Sequence, residues 1–288
     1  MNANLLSGIY NIVHSHNTSV REEAPTYNIR INSVGEKLEY FIKDAIAGTS
    51  SKTNSETDII YSETYSWLGS QNNPPDLIIK NGDAFEVKKV ESVRGGGSLA
   101  LNSSHPKDKL YSDDTKITQA CRDCEAKPWT TKDMYYTIGI VPKNKPIKSI
   151  IFVQGLCYVA KREVYENFFT DIKEKTQEGI ESLGYSSENT LEFGRINKVD
   201  PLGITNLRIR GMWEIKNPFS VYQSYLKAPD NAEFSVYAIL TAEKYNSYPL
   251  ESHLLVENES IIRIENIELA DPNNPAKKIP SKLISSYW

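Results

Sequence analysis

The chain is poor in the residues that most often advertise a metal or redox centre: three cysteines, four histidines and three methionines in 288 residues. An odd cysteine count gives no disulfide framework and fits a reduced, cytoplasmic interior. Cys121-Arg-Asp-Cys124 has the spacing of half a zinc site. No second Cys pair exists, however, and His14, His16, His105 and His253 are scattered without a ligand pattern, so the pair reads as free thiols on a helix. Long apolar runs are missing too. No window approaches about 18 uninterrupted apolar residues, and the N-terminus lacks a basic flank followed by an apolar core. The expectation is a soluble, cytoplasmic protein that is not exported and has no membrane partner. Excess positive charge is also absent. A net charge of −4 argues against a general DNA-coating role and leaves room only for a focused basic cleft in an acidic shell.

What is present is the composition of an ordinary globular chain, 39% hydrophobic and 10% aromatic, long enough for one large domain or two modest ones. A short amphipathic helix is expected over Leu5–Val13. Gly8-Ile9-Tyr10 spells half of a nuclease signature, but no Tyr-Ile-Gly follows nearby, so it belongs to that helix. Asn32 or Ser33 suits an N-cap for a second helix running to about Ala47, with Val34, Leu38, Phe41, Ile42 and Ala45 forming one stripe. Glu39 falls on the border of that stripe, where a carboxylate can look into a site beside the core. Gly48–Thr57 reads as a polar loop and Ile59–Leu68 as helix or strand. Thr118–Glu125 reads as helix, Tyr135–Val141 and Ile147–Ala160 as two buried strands, Tyr165–Leu183 as an amphipathic helix, and Phe234–Leu240 as a strand. The tail from Ala270 is rich in Pro, Asn and Lys. No repeat and no long linker divides the chain.

The chemistry gathers between Pro75 and Lys89. Leu77-Ile78-Ile79 and Ala84-Phe85-Glu86-Val87 are strand-like, and Asn81-Gly82 between them is a strong hairpin signal. A hairpin brings Asp76, at the start of one strand, to Glu86 near the end of the other. Alternation along a strand puts Glu86 and Lys88 on one face and sends Phe85 and Val87 to the core. Two carboxylates and an ammonium then converge. Asp76 and Glu86 suit Mg²⁺, with its preference for oxygen ligands, and Val87 can add its backbone carbonyl. Lys88 suits the orientation of a water and the neutralisation of developing charge, and Glu39 is a further candidate ligand. These are the parts needed to hydrolyse a phosphodiester.

Pro75-Asp76, then Glu86-Val87-Lys88, resembles the PD-(D/E)xK nuclease pattern, in which a helix bearing a glutamate precedes the catalytic hairpin. More of the chain resembles the NgoPII-type type II restriction endonucleases. The segments are Asn32-Ser-Val-Gly-Glu-Lys-Leu-Glu39, Asn73-Pro-Pro-Asp76, Asn81-Gly-Asp83, Glu86-Val-Lys-Lys89, Ala100-Leu-Asn-Ser-Ser104, Thr118-Gln-Ala-Cys121-Arg, and Val199-Asp-Pro-Leu-Gly-Ile204 with Arg208-Ile-Arg-Gly-Met-Trp213. The resemblance implies an α/β fold, a mixed central β-sheet flanked by helices with a restriction-endonuclease-like core. It also implies an Mg²⁺-dependent homodimer cutting both strands of double-stranded DNA at a short, GGCC-like palindrome, with a cognate DNA methyltransferase in the same system.

Two further stretches are rich in groups that bind DNA. Arg94, Asn102, Ser103, Ser104, Lys107 and Lys109 form the first; Arg195, Lys198, Arg208 and Arg210 form the second. Arginine to guanine is the commonest specific major-groove contact, and backbone phosphates explain basic clusters in an acidic chain. The expected organisation is a single endonuclease domain over 1–288, with a catalytic core at about 32–160 and DNA-recognition segments at about 94–120 and 194–213. The alternatives are a structure-specific repair or recombination nuclease of the same superfamily, or a DNA-binding protein of the same fold that does not cut.

Overall fold

The computed structural model describes residues 3–15, 34–70, 72–92, 97–101, 104–186 and 190–288. Its first half runs α1 (Leu5–Ser15), α2 (Val34–Ala47), α3 (Asn54–Thr64), β1 (Tyr65–Trp67), β2 (Leu77–Ile79), β3 (Ala84–Val90), β4 (Ser98–Ala100), β5 (Lys109–Tyr111), α4 (Gln119–Arg122), β6 (Thr131–Ile140), β7 (Ser149–Gln154) and α5 (Gly155–Tyr158). The second half adds α6 (Arg162–Ser182), β8 (Gly194–Ile196), β9 (Leu207–Ile209), β10 (Glu214–Lys216), α7 (Pro218–Val221), β11 (Ser235–Thr241), α8 (Ala242–Asn246), α9 (Leu250–Glu257), β12 (Arg263–Asp271) and β13 (Asn274–Tyr287).

The strands build one mixed central sheet in the order β1-β2-β3-β6-β7-β11-β13-β12, with β5 paired to β6 off that path. β3 runs parallel to β6 and β7 parallel to β11, while the remaining neighbours are antiparallel. Alternation gives each face of this sheet its own core. Leu77, Ile79, Phe85, Val87 and Tyr135 join α1 and α2 on one side, and Ile78, Ala84, Met134, Tyr136 and Ile138 pack with Cys121 and Cys157 on the other. The expected mixed α/β layering is therefore observed. Gly8 packs against Ile46 between α1 and α2, where a Cβ would lie 3.0 Å from the Ile46 side chain. Among the described residues no helix is long and apolar enough to cross a membrane.

Several elements depart from the sequence reading. The segment read as loop to Thr57 becomes helical at Asn54, because Thr53 and Glu56 close a reciprocal capping box. Helix 118–125 shrinks to Gln119–Arg122, after which Glu125 turns back to the β2–β3 turn. The strand expected to reach Ala160 stops at Gln154, and Gly155 begins a helical turn pressed against the Lys107 and Asp108 carbonyls. The tail from Ala270, with its three prolines, holds the end of β12, the turn and the return arm β13 of a long hairpin. Pro280 is tolerated there because β11 pairs only from Ser281 onward, so its missing N–H interrupts no central ladder. The N-cap expected at Asn32 or Ser33 lies outside the described residues.

Candidate active site

The hairpin forms as its sequence requires. Leu77 pairs with Phe85 and Ile78 with Ala84, and Asn81 adopts φ 56, the left-handed conformation that asparagine accepts in tight turns. Carried one step further, the register brings Asp76 level with Glu86. The Asp76 N–H donates to the Phe85 carbonyl at 3.0 Å, and the Val87 N–H donates to Asp76 Oδ2 at 2.6 Å. On the same face Lys88 Nζ donates to Glu86 Oε1 at 2.6 Å. Glu86 Oε2 is buried and has no hydrogen-bond partner among the described residues.

Electrostatics confirm how closely these charges are gathered. Burial, the Glu86 carboxylate and the Glu39 carboxylate together push the Asp76 carboxyl well above its usual range, against the pull of Lys88 and the Val87 N–H. For Lys88, burial works downward. The carboxylates of Glu86, Asp76 and Glu39, with the Glu86 hydrogen bond, outweigh it and hold the ammonium above its ordinary value. Glu39 reaches this group from α2 with Lys43 one turn on, 3.8 Å from its carboxylate. Lys43 is buried, donates to the Leu68 carbonyl at 3.1 Å, and is pulled below its ordinary pKa by burial, against the attraction of Glu39 and Asp76. Among the described residues no three acids, histidines or cysteines converge tightly enough to chelate an ion by themselves. Asp76 and Glu86 are the two carboxylates the hairpin brings together, and Glu39 is close enough to act on Asp76 electrostatically. The buried Oε2 of Glu86, without a hydrogen-bond partner among the described residues, is a hard oxygen donor of the kind a divalent metal takes.

A cleft of about 370 Å³ opens on this group. Both basic stretches reach it: Ser104 and Lys107 from the first, Arg210 from the second, alongside Asp76, Glu86 and Lys88. The stretches are joined physically as well. β4 pairs antiparallel with β10, Leu101 N–H donates to the Trp213 carbonyl at 2.8 Å, and Ser98 Oγ donates to Glu214 Oε2 at 2.9 Å.

A family model described as NgoPII restriction endonuclease matches residues 3–271. The chain belongs to the NgoPII restriction endonuclease family. It is also 38% identical over 285 residues to the type II restriction enzyme NgoPII of Neisseria gonorrhoeae, covering 99% of each chain. No solved structure matches.

In this NgoPII-family chain the remaining expected contacts divide unevenly. Arg94, Asn102 and Ser103 lie outside the described residues. Lys107 departs from the expectation of a free phosphate partner. It is only 3% exposed and its ammonium is bonded to Asp114 Oδ2, while its backbone N–H donates to the Tyr136 hydroxyl oxygen at 2.6 Å. Lys109 sits half-buried on β5 opposite Asp133. Arg195 donates to Asn197 Oδ1 at 3.0 Å, and Lys198 is exposed. Arg208 and Arg210 do share one face, and both are spent on Glu192, at 2.5 Å each. The cleft is also lined by Lys116, the imidazole of His105 and Tyr136, which the sequence does not single out as site residues. Burial and Lys107 hold His105 below the usual histidine range. Cys121 and Cys124 form no disulfide, and burial pushes the Cys121 thiol up to about 12.

Proposed function

We propose that this chain cleaves both strands of double-stranded DNA at a short palindrome, GGCC-like in its resemblance, with Mg²⁺ bound by Asp76 and Glu86 in a PD-(D/E)xK site. As a member of its family the chain is a type II restriction endonuclease, a hydrolase acting on DNA phosphodiester bonds. The observation that carries the finer reading is Glu86 Oε2, buried without a partner beside Asp76 while Lys88 holds the other oxygen. The Val87 N–H engages Asp76 Oδ2 and leaves Oδ1 to a ligand. In an extended strand a residue's N–H and C=O point the same way, so the Val87 carbonyl shares the Asp76 edge and becomes a third oxygen donor. A divalent cation bound there supplies Lewis-acid polarisation of the phosphate and a water of lowered pKa. Lys88, fixed by Glu86, orients the attacking water and offsets charge developing on the phosphate. Glu39 adds negative charge, acting directly or through water, and Lys43 fixes its position.

The domain is read as one unit, with the catalytic core over about 32–160 and DNA-reading segments over about 94–120 and 194–213. The β4–β10 pairing supports treating the two segments as one surface. One cleft cuts one strand, so a two-fold palindrome calls for a homodimer, with a methyltransferase protecting the host site. The test is a digest of DNA of known sequence in Mg²⁺ and in EDTA, with the ends mapped. Discrete fragments with fixed ends in Mg²⁺ alone support the reading, and a smear or uncut DNA overturns it.

A further inference from the structure

The hairpin formed by β8 and β9 ends in a loop, residues 197–206, whose order and polarity are at odds with each other. Asp200 braces the loop from within: its carboxylate accepts from Leu202 N–H at 3.0 Å and from both the Thr205 N–H and the Thr205 hydroxyl at 2.6 Å. The Gly203 N–H closes a turn on the Asp200 carbonyl at 2.8 Å, and Val199 N–H and Thr205 carbonyl pair across it at 3.0 Å. Gly203 takes φ +69, and a Cβ there would press on the Lys198 side chain at 3.1 Å. These bonds hold the carboxylate of Asp200 down at about 2. What the braced loop presents is apolar: Leu202 is 82% exposed and Ile204 73%.

Large aliphatic side chains fixed in water, on a loop built to keep them there, point to a partner surface. The charge around them says which. The hairpin from Gly194 to Arg210 carries Arg195, Lys198, Arg208 and Arg210 against the single acid Asp200, in a chain of net charge −4. Glu192 beside it offsets one of the Arg208 and Arg210 charges, leaving a net positive patch. In a two-fold contact this patch would meet its own copy, cation against cation, whereas a nucleic-acid backbone complements it. The position agrees. Arg210, directly after β9, lines the cleft of Asp76, Glu86 and Lys88, and Leu202 is eight residues away. A chain of that length spans at most about 25–30 Å, or roughly eight base pairs along a strand.

We propose that the 197–206 loop is an apolar probe of the DNA, in which Leu202 and Ile204 insert into a groove against the base faces while the hairpin's cations take the flanking phosphates. Aliphatic wedges of this kind contact bases rather than phosphates, and the internal bracing removes the ordering cost of insertion. The inference rests on the reading of this chain as a DNA-cutting enzyme.

The test uses the full chain and a duplex containing its mapped cleavage site, bound in Ca²⁺ or EDTA at several salt concentrations, for wild type and for Leu202→Ser/Ile204→Ser. Both positions are exposed, so the variant should fold, as circular dichroism will show. Affinity for the duplex should fall about 10- to 100-fold, the scale of losing two apolar base contacts, with an unchanged slope of log K against log salt because no phosphate contact is removed. 2-Aminopurine placed along the duplex should brighten at one step with wild type and stay quenched with the variant. Equal binding by the two proteins overturns the proposal while leaving the nuclease reading standing. So does a fall in sedimentation coefficient of the DNA-free variant, which would make the loop a contact between chains. A wild type that binds no duplex overturns both.

Discussion

Asp76, Glu86 and Lys88 share a space in which no charge is left to water alone. Lys88 holds one oxygen of Glu86, the Val87 N–H holds one of Asp76, and the second oxygen of Glu86 has no partner among the described residues. Lys88→Ala should therefore lower single-turnover cleavage by about 10²- to 10³-fold, the loss typical of one electrostatic donor, with duplex affinity in Ca²⁺ little changed. Glu192 offers a second residue-scale test. Its carboxylate neutralises one of the two charges of Arg208 and Arg210 in the DNA-free chain. Glu192→Ala should tighten non-specific binding at low salt and steepen the slope of log K against log salt by about one. A weaker or unchanged slope would mean that the two arginines do not meet phosphate. The convergence of Asp76, Glu86 and Lys88 was legible in the sequence because it depends only on local geometry, a two-residue period and a hairpin turn. Glu39 was legible from the helical period. Lys43, Lys116 and His105 were not, because they arrive through tertiary packing. Lys107 was misread for the same reason: nothing near it in sequence shows that the loop after β5 folds Asp114 onto its ammonium.

At the scale of elements, the hairpin is held from both ends. At the turn, Glu125 accepts from the Asn81 N–H at 2.9 Å, from Ser66 Oγ at 3.0 Å and from Lys132 Nζ at 2.6 Å. The Glu125 and Lys132 side chains are 3% and 6% exposed. Glu125→Ala leaves Lys132 buried without its counter-charge and should cost about 3–5 kcal/mol, read as a fall in denaturation midpoint. At the active end, Gly69 has φ +95, and a Cβ there would lie 2.7 Å from the Asp76 carbonyl oxygen. Gly69→Ala should strain the backbone and displace Asp76, lowering both melting temperature and cleavage; wild-type cleavage would show that the Asp76 position is not so constrained. Elements whose signal is a period or a turn pair were readable: α1, the β2–β3 hairpin, β11. The Thr53–Glu56 capping box was overlooked, and β12 and β13 were hidden because prolines and lysines mark edge and solvent positions as readily as loops.

For the whole molecule, Lys88, Lys107, Lys116 and Arg210 are brought to one cleft of an acidic chain. Acid should loosen the wall of that cleft. Burial raises the Asp114 carboxyl, but the Lys107 ammonium and the Lys116 N–H outweigh it and hold the group below its usual value. A depressed carboxyl contributes stability above its unfolded pKa of about 3.9, and that contribution is lost as pH falls through the lower folded value. Asp114→Asn should accordingly be less stable at neutral pH and show a shallower loss below about pH 4, seen by thermal melts across pH. The joining of residues 97–101 to 213–217 by β4 and β10 could not be read from sequence, since it depends on a pairing across more than a hundred residues. It is what makes one surface of two distant basic stretches. The proposed chemistry stands most directly on Asp76, whose replacement by asparagine keeps its size and the bond from the Val87 N–H while removing the charge that a cation needs. Single-turnover cleavage of a mapped site by Asp76→Asn in saturating Mg²⁺, beside duplex binding in Ca²⁺, should show cutting abolished and binding retained. Cutting at the wild-type rate would mean that the hairpin is not the active site.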